Sequence, residues 1–149
     1  MQLTRQCEYA LRTMLELAAH PYGELLSTKI ISERQDIPED FLKKTIHLLA
    51  VNGLVSTVRG TQGGVRLARP AQDIKVRDVV EAIEGPIAIN PCLASGFICP
   101  NQPRCRISPV LARAQQAFVA ELSKESIADL AAGDFDSAYD SSSDLPSEE

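Results

Sequence analysis

Immediately after a helical stretch that stops at Gly53, the period of the chain changes. Leu54-Val-Ser-Thr-Val-Arg59 alternates apolar and polar positions and is rich in β-branched residues. Gly60-Thr-Gln-Gly-Gly64 and the short run Val65-Arg-Leu67 follow. A strand, a glycine-rich turn and a second strand read as a β-hairpin. Before it lie two helical signals. Ser27 is a suitable N-cap for a short helix carrying Ile30 and Ile31 to about Gln35. After a break at Asp36-Ile37-Pro38, proline in the first turn starts a second helix that runs to about Asn52, with Gly53 as its stop. On that second helix Leu42, Thr45, Ile46 and Leu49 share one face. Asp40, Lys44, His47 and Val51 lie opposite, with Lys43 beside them. Two helices joined by a tight turn form a helix-turn-helix, and a hairpin directly behind them makes it winged.

The rest of the chain reads as helix. Leu3, Cys7, Ala10, Leu11, Met14, Leu15 and Ala18 recur at helical spacing up to the punctuation at His20-Pro21-Tyr22-Gly23. Asp73 to Glu84 predicts an amphipathic helix ended by Gly85-Pro86. Ser108-Pro109 is a cap and first-turn signature for a helix of some twelve to sixteen residues, with a stripe of Val110, Leu111, Ala114, Ala117, Phe118 and Leu122. A shorter turn or helix is expected over residues 123–130. The expected fold class is therefore mainly α: a winged helix-turn-helix with a small hairpin wing and a long C-terminal helix.

A chain of 149 residues suits one domain with a moderate core. No apolar run approaches the roughly 20 residues of a membrane span, and MQLTRQCEYALR lacks the apolar block of a secretory signal. A cytoplasmic protein is expected, with no membrane partner. The net charge of −5 is unevenly spread. Residues 1–120 hold fourteen Lys/Arg against eleven Asp/Glu, whereas residues 121–149 hold one against nine. The acidity belongs to the tail, whose composition predicts disorder, so the bulk charge does not exclude nucleic acid.

The second helix of the pair would enter a major groove and present Glu39, Asp40, Lys43, Lys44 and His47 to base edges. Ser27, Thr28 and Lys29, at the N-terminus of the first, suit a backbone phosphate. Arg59 and Gln62 at the wing tip suit a minor groove, whose negative potential attracts arginine. The plainer alternative is a packing unit with a solvated lysine face. His47 has no second histidine at helical spacing and reads as a polar groove residue rather than a metal ligand.

Three of the four cysteines, Cys92, Cys99 and Cys105, lie in one Gly/Pro-broken loop at C-x6-C-x5-C spacing. Structural zinc usually uses close pairs and four protein ligands, neither of which this loop supplies. Iron-sulfur clusters are wider and are held by spaced thiolates, so they suit the loop better. Buried core thiols and a metal-free disulfide sensor remain as alternatives. Cys7, on the stripe of the first helix, reads as a core residue.

MQLTRQCEYALR, IPEDFLKK, GLVSTVRGTQGGVRLARP, IKVRDVVEAIEG and the cysteine loop together resemble the Rrf2 family of bacterial winged-helix transcription regulators. The loop resembles its iron-sulfur branch, of the IscR, NsrR and RirA type. The likeness covers residues 1 to about 131 and implies a DNA-binding regulator, most often a repressor, rather than an enzyme. It implies a homodimer joined through the long C-terminal helix and a palindromic double-stranded operator. It also implies an iron-sulfur cluster, 2Fe-2S or 4Fe-4S, ligated by Cys92, Cys99 and Cys105 and sensing nitric oxide, iron or redox status. IscR-like members place a histidine shortly after the third cysteine. Here Arg106-Ile-Ser108 follows, and no histidine occurs beyond His47. NsrR-like members take a carboxylate from the first helix of the partner subunit, which corresponds to Glu8, with Cys7 as second choice. The implied organisation is a DNA-binding domain over 1–85, a cluster loop over 86–107, a dimerisation region over 108–131 and an acidic tail over 132–149. The loop is expected beside the helix-turn-helix, so that losing the cluster misplaces the reading helices. The alternatives are a metal-free thiol-switch regulator and, from another class, a redox or electron-transfer protein, which explains neither the wing nor the polar reading helix.

Overall fold

A computed structural model of the chain describes residues 1–133. The expected disorder of the acidic tail falls on residues that, beyond Gly133, lie outside the described ones. Among the described residues six α-helices and one two-stranded antiparallel sheet follow in the order α1 (Arg5–Ala18), α2 (Thr28–Gln35), α3 (Glu39–Val51), β1 (Val55–Val58), β2 (Gly64–Leu67), α4 (Val76–Glu84), α5 (Ser108–Leu122) and α6 (Ile127–Ala132). The winged helix-turn-helix expected from the pattern is present.

Helix α1 forms because Cys7, Ala10, Met14 and Leu17 repeat at intervals of three and four and bury one stripe. Thr4 caps it by accepting the Cys7 N–H at 3.2 Å. Leu3, expected on the stripe, instead precedes the helix and is exposed, because the cap at Thr4 turns the chain outward. Helix α2 is capped as expected by Ser27, whose Oγ accepts the Ile30 N–H at 3.2 Å. Its far end is a tight turn with Asp36 in the left-handed region, φ 51°. Ile37 plugs that turn from below and is buried. Pro38 is the N-cap of α3 rather than part of its first turn, its extended ψ being the one a residue needs just before a helix. Leu42, Thr45, Ile46 and Leu49 are all buried, as the pattern required.

The core lies where α1 packs against α3, α4 and α6, closed below by the hairpin. Each fully buried Leu or Ile there contributes roughly 1.5–3 kcal/mol. Two features place the wing. The strands pair in the register Val55↔Leu67 to Val58↔Gly64. The segment entering α2 is stitched to them, Leu26 and Val65 exchanging both backbone hydrogen bonds at 2.9 and 2.8 Å.

Helix α4 starts at Val76, not Asp73 as expected. Residues 71–73 form a separate 3₁₀ turn, and the Asp78 carboxylate accepts the Lys75 N–H at 2.8 Å, setting the helix start there. At the other end of the chain α6 returns to the core. Ser126 caps it, Asp129 accepts the Ser126 N–H at 2.8 Å in return, and Ile127 is fully buried. Helix α5 has the expected length but starts at Ser108 itself, with Ile107 as cap residue. None of its side chains is buried, and Val110 and Phe118 are 52% and 38% exposed.

Candidate nucleic-acid interface and cysteine site

The α2 N-terminus, α3 and the wing meet at a cleft of about 360 Å³ lined by Ser27, Thr28, Lys43, Thr57, Thr61 and Gly64 among others. The cleft exists because two glycines let backbones approach. A Cβ at Gly63 would lie 2.0 Å from the Val58 carbonyl, and one at Gly64 would lie 2.3 Å from that of Leu26. Ser27 and Thr28 are half-buried and Lys29 is exposed. On α3, Glu39, Asp40, Lys43, Lys44 and His47 are all exposed, and at the wing tip so are Arg59 and Gln62. Of the α3 candidates only Lys43 lines the cleft with the α2 N-terminus.

One residue beside them escaped the sequence reading. Phe41 is 53% exposed on α3, with the Lys44 ammonium 5.8 Å from its ring centre and the Tyr9 ring at 6.3 Å. The Arg12 guanidinium lies 5.4 Å from the Tyr9 ring centre in turn. The signal was an aromatic residue on a helix face otherwise made of charges.

The helix pair is locked to α1 by charge. Glu16 accepts from Arg34 at 2.9 Å and from Gln35 at 2.7 Å, and Arg12 donates to the Gln35 carbonyl at 2.7 Å. Burial pushes the Glu16 carboxyl up, but hydrogen bonds from Arg34, Gln35 and His20 and the charge of Arg34 outweigh it and hold the group below its ordinary range.

Cys92, Cys99 and Cys105 are free, half-buried thiols lining one cavity of about 220 Å³, closed by Asn90, Asn101, Gln102, Ile107, Ser108 and Leu111. The cavity sits at the N-terminus of α5, where the Ser108 N–H donates to Cys105 Sγ at 3.3 Å. The Asn90 carboxamide donates to Cys92 Sγ at 3.1 Å. These donors, and the positive end of a helix, favour sulfur bearing negative charge. Among the described residues no group of three His, Cys, Asp or Glu side chains forms a site that could hold a metal ion. Three thiols around one cavity, two of them with N–H donors, are the donor chemistry that a spaced-thiolate centre would use.

One expectation changes here. Every residue lining the thiol cavity lies between positions 90 and 111, and the turn after Asn90 packs on α5, so within one chain the cavity is built away from the helix-turn-helix. The reason is that Pro91-Cys92-Leu93 folds into a 3₁₀ turn against α5. Within one chain Glu8, expected as a ligand from the partner subunit, does not line this cavity. It is exposed on α1, paired with Arg12 at 2.9 Å. Cys7, by contrast, faces the core with no exposed surface, as expected, and burial followed by the nearby Glu84 pushes its thiol up to about 11.

A helix pair, a wing held by backbone hydrogen bonds to the segment that enters its first helix, and a cleft between them with Lys43 on its wall define a winged-helix DNA-binding transcription regulator. No helix among the described residues is long and apolar enough to cross a membrane. The chain belongs to the Rrf2 family, described as iron-dependent transcriptional regulators, whose family model matches residues 3–133. Members of such a family regulate transcription and are not enzymes. Among solved structures the chain is similar to IscR of T. potens, at 28% identity over 94% of this chain and 93% of that one, TM-score 0.71. It is similar to CymR (YrzC), the global cysteine regulator of B. subtilis, at 25% identity over 89% and 98%, TM-score 0.71. The oxidized form of Staphylococcus aureus CymR is also similar, at 25% identity over 88% and 96%, TM-score 0.67.

Proposed function

We propose that this Rrf2-family regulator is a repressor, acting in the cytoplasm, whose grip on its operator depends on an iron-sulfur cluster held by Cys92, Cys99 and Cys105. The observation that carries this reading is the convergence of the three loop thiols on one cavity at a helix N-terminus, with N–H donors on two of the sulfurs. Glu8 of a second copy is the fourth ligand. Taking it away from Arg12 disrupts only an exposed i,i+4 pair, worth about 0.3–0.5 kcal/mol. Cys7 is unsuited to the task because it points into the core. When bound, the cluster supplies electron uptake and a labile iron on which nitric oxide, oxygen or iron loss acts.

The dimer forms through α5, whose apolar stripe has no buried residue within its own chain. Two-fold symmetry sets two α3 helices about one turn of duplex apart, roughly 34–36 Å, and calls for a palindromic operator. In each half-site Lys43, Lys44, Glu39, Asp40 and His47 face the major groove. Ser27, Thr28 and Lys29 take a phosphate, and Arg59 and Gln62 reach the minor groove. A cluster on the three thiols would tie three points of the loop together. That tie also steadies α4, which runs into the loop through Gly85-Pro86 and packs on α1 and α3. Residues 1–85 thus form the reading unit, 86–107 the sensing loop, 108–131 the dimer region and 132–149 an acidic tail.

The likeness to CymR, with a structure described as oxidized, supports a second reading in which the same three thiols form a metal-free switch. One experiment separates them. Protein purified without air is analysed for iron and sulfide, its visible absorbance is recorded, and operator binding is measured before and after nitric oxide. The cluster reading expects colour, iron, and a Cys99→Ala variant that loses both and changes operator affinity. Colourless, iron-free protein that binds fully and loses affinity only on thiol oxidation selects the switch.

A further inference from the structure

Two sulfurs in the cysteine cavity receive hydrogen bonds from groups outside the ligand set, and they do so differently. The Ser108 donor is a backbone N–H that any non-proline residue supplies, whereas the Asn90 donor is a side chain, with Nδ2 3.1 Å from Cys92 Sγ. Asn90 is held in register by its neighbour: the Ile89 N–H donates to Oε1 of Gln115 on α5 at 3.0 Å, pinning the backbone just before the loop turns. Asn101 lines the same cavity without a hydrogen bond to sulfur. Polar lining is thus common to both asparagines, but contact with a sulfur belongs to one.

We propose that Asn90 is a positioning residue that sets the electron affinity of the centre held at Cys92, an inference that rests on the cluster reading above. A hydrogen bond to a ligand sulfur stabilises whichever state carries more negative charge there, and such bonds are among the determinants of cluster potential. On reduction one electron passes from an added reductant, dithionite through a dye mediator, to the bound centre. Asn90 breaks no bond and moves no proton in that step. Its N–H is a donor before and after, and it favours the reduced state.

The test is a potentiometric titration of full-length protein purified without air, followed by visible spectroscopy. Wild type is compared with Asn90→Leu, Asn90→Asp and Asn101→Leu, each assayed for iron and sulfide. Leucine keeps the branching of asparagine and removes the donor. Its oxidised-to-reduced ratio at a fixed potential is expected to rise about tenfold, a fall of about 59 mV for one electron. Aspartate keeps the shape but sets a carboxylate against the sulfur, so its potential falls further. Asn101→Leu is expected to match wild type. A packing role alone leaves a loaded Asn90→Leu at the wild-type potential, whereas the Asn90→Asp carboxylate lowers it by charge in either case and serves as the positive control. A loaded Asn90→Leu with an unmoved potential, or an equal shift from Asn101→Leu, overturns the proposal. Should Asn90→Leu lose its centre, Asn90→Ala, which also lacks the donor, decides by the same readout: an unmoved potential overturns it, a lower one supports it. Iron-free wild type defeats the cluster reading and this inference together, whereas loaded protein with an unmoved potential removes only the role of Asn90.

Discussion

Gly64→Ala should damage DNA binding and stability together, because one backbone contact serves both. A Cβ there would sit 2.3 Å from the Leu26 carbonyl oxygen, 2.7 Å from its carbon and 3.2 Å from the Ser27 nitrogen. All three are backbone atoms, and ordinary contact begins near 3.4 Å, so the wing and the segment entering α2 must separate by about 1 Å. That strains or breaks the two Leu26–Val65 hydrogen bonds, each worth about 1 kcal/mol net. The positive φ of 157° adds about 1 kcal/mol or more of conformational cost. The expected loss is about 2–4 kcal/mol, a fall of roughly 1–2 M in the urea midpoint at a typical m-value. Gly53→Ala is the control. Its φ of 73° is also left-handed, but nothing lies within 4 Å of the added carbon, so it isolates the conformational part. Operator affinity, followed by fluorescence anisotropy well below the unfolding transition, should drop for Gly64→Ala and stay near wild type for Gly53→Ala. If Gly64→Ala costs no more than Gly53→Ala in both assays, the wing is not positioned by its contact with Leu26.

Arg59→Ala should lower the slope of log affinity against log salt by about one, as expected for one phosphate-proximal cation; an unchanged slope would place Arg59 off the duplex. Glu16 is depressed below its ordinary value, so its contribution is fully present above the unfolded value near 4.3 and is lost as pH falls through the lower folded one. Urea midpoints measured downward from pH 6 should therefore fall less steeply in Glu16→Gln than in wild type, and identical acid limbs would contradict the arrangement. On the proposed dimer, Phe118→Glu, at a side chain 38% exposed on α5, should yield monomers in sedimentation at micromolar concentration and weaken operator binding; a dimer left intact would move the subunit contact elsewhere.

Much of the reading unit was legible because its signals are short-range. Ser27 as a cap, the buried face of α3 and the hairpin around Gly60–Gly64 depend on residues within a few positions of one another, where hydrogen-bond geometry and side-chain period carry the information. The exposure of the α3 candidates followed from the same period. Boundaries shifted where a side chain competed for the helix start, as Asp78 does at Lys75. Phe41 was missed because an aromatic on a charged face has no single meaning until its neighbours are known.

By itself the chain determined its helices, its wing and the clustering of three thiols in one loop, since each is a property of local order along the backbone. Only the tertiary structure decided that α6 returns to bury Ile127 against α1, that Leu26 clasps Val65, that the thiol cavity is built on α5 and that Asn90 reaches the sulfur of Cys92. The strength of those contacts comes from burial and from hydrogen bonds whose partners are brought together by packing, and no spacing along the chain encodes which surfaces will meet.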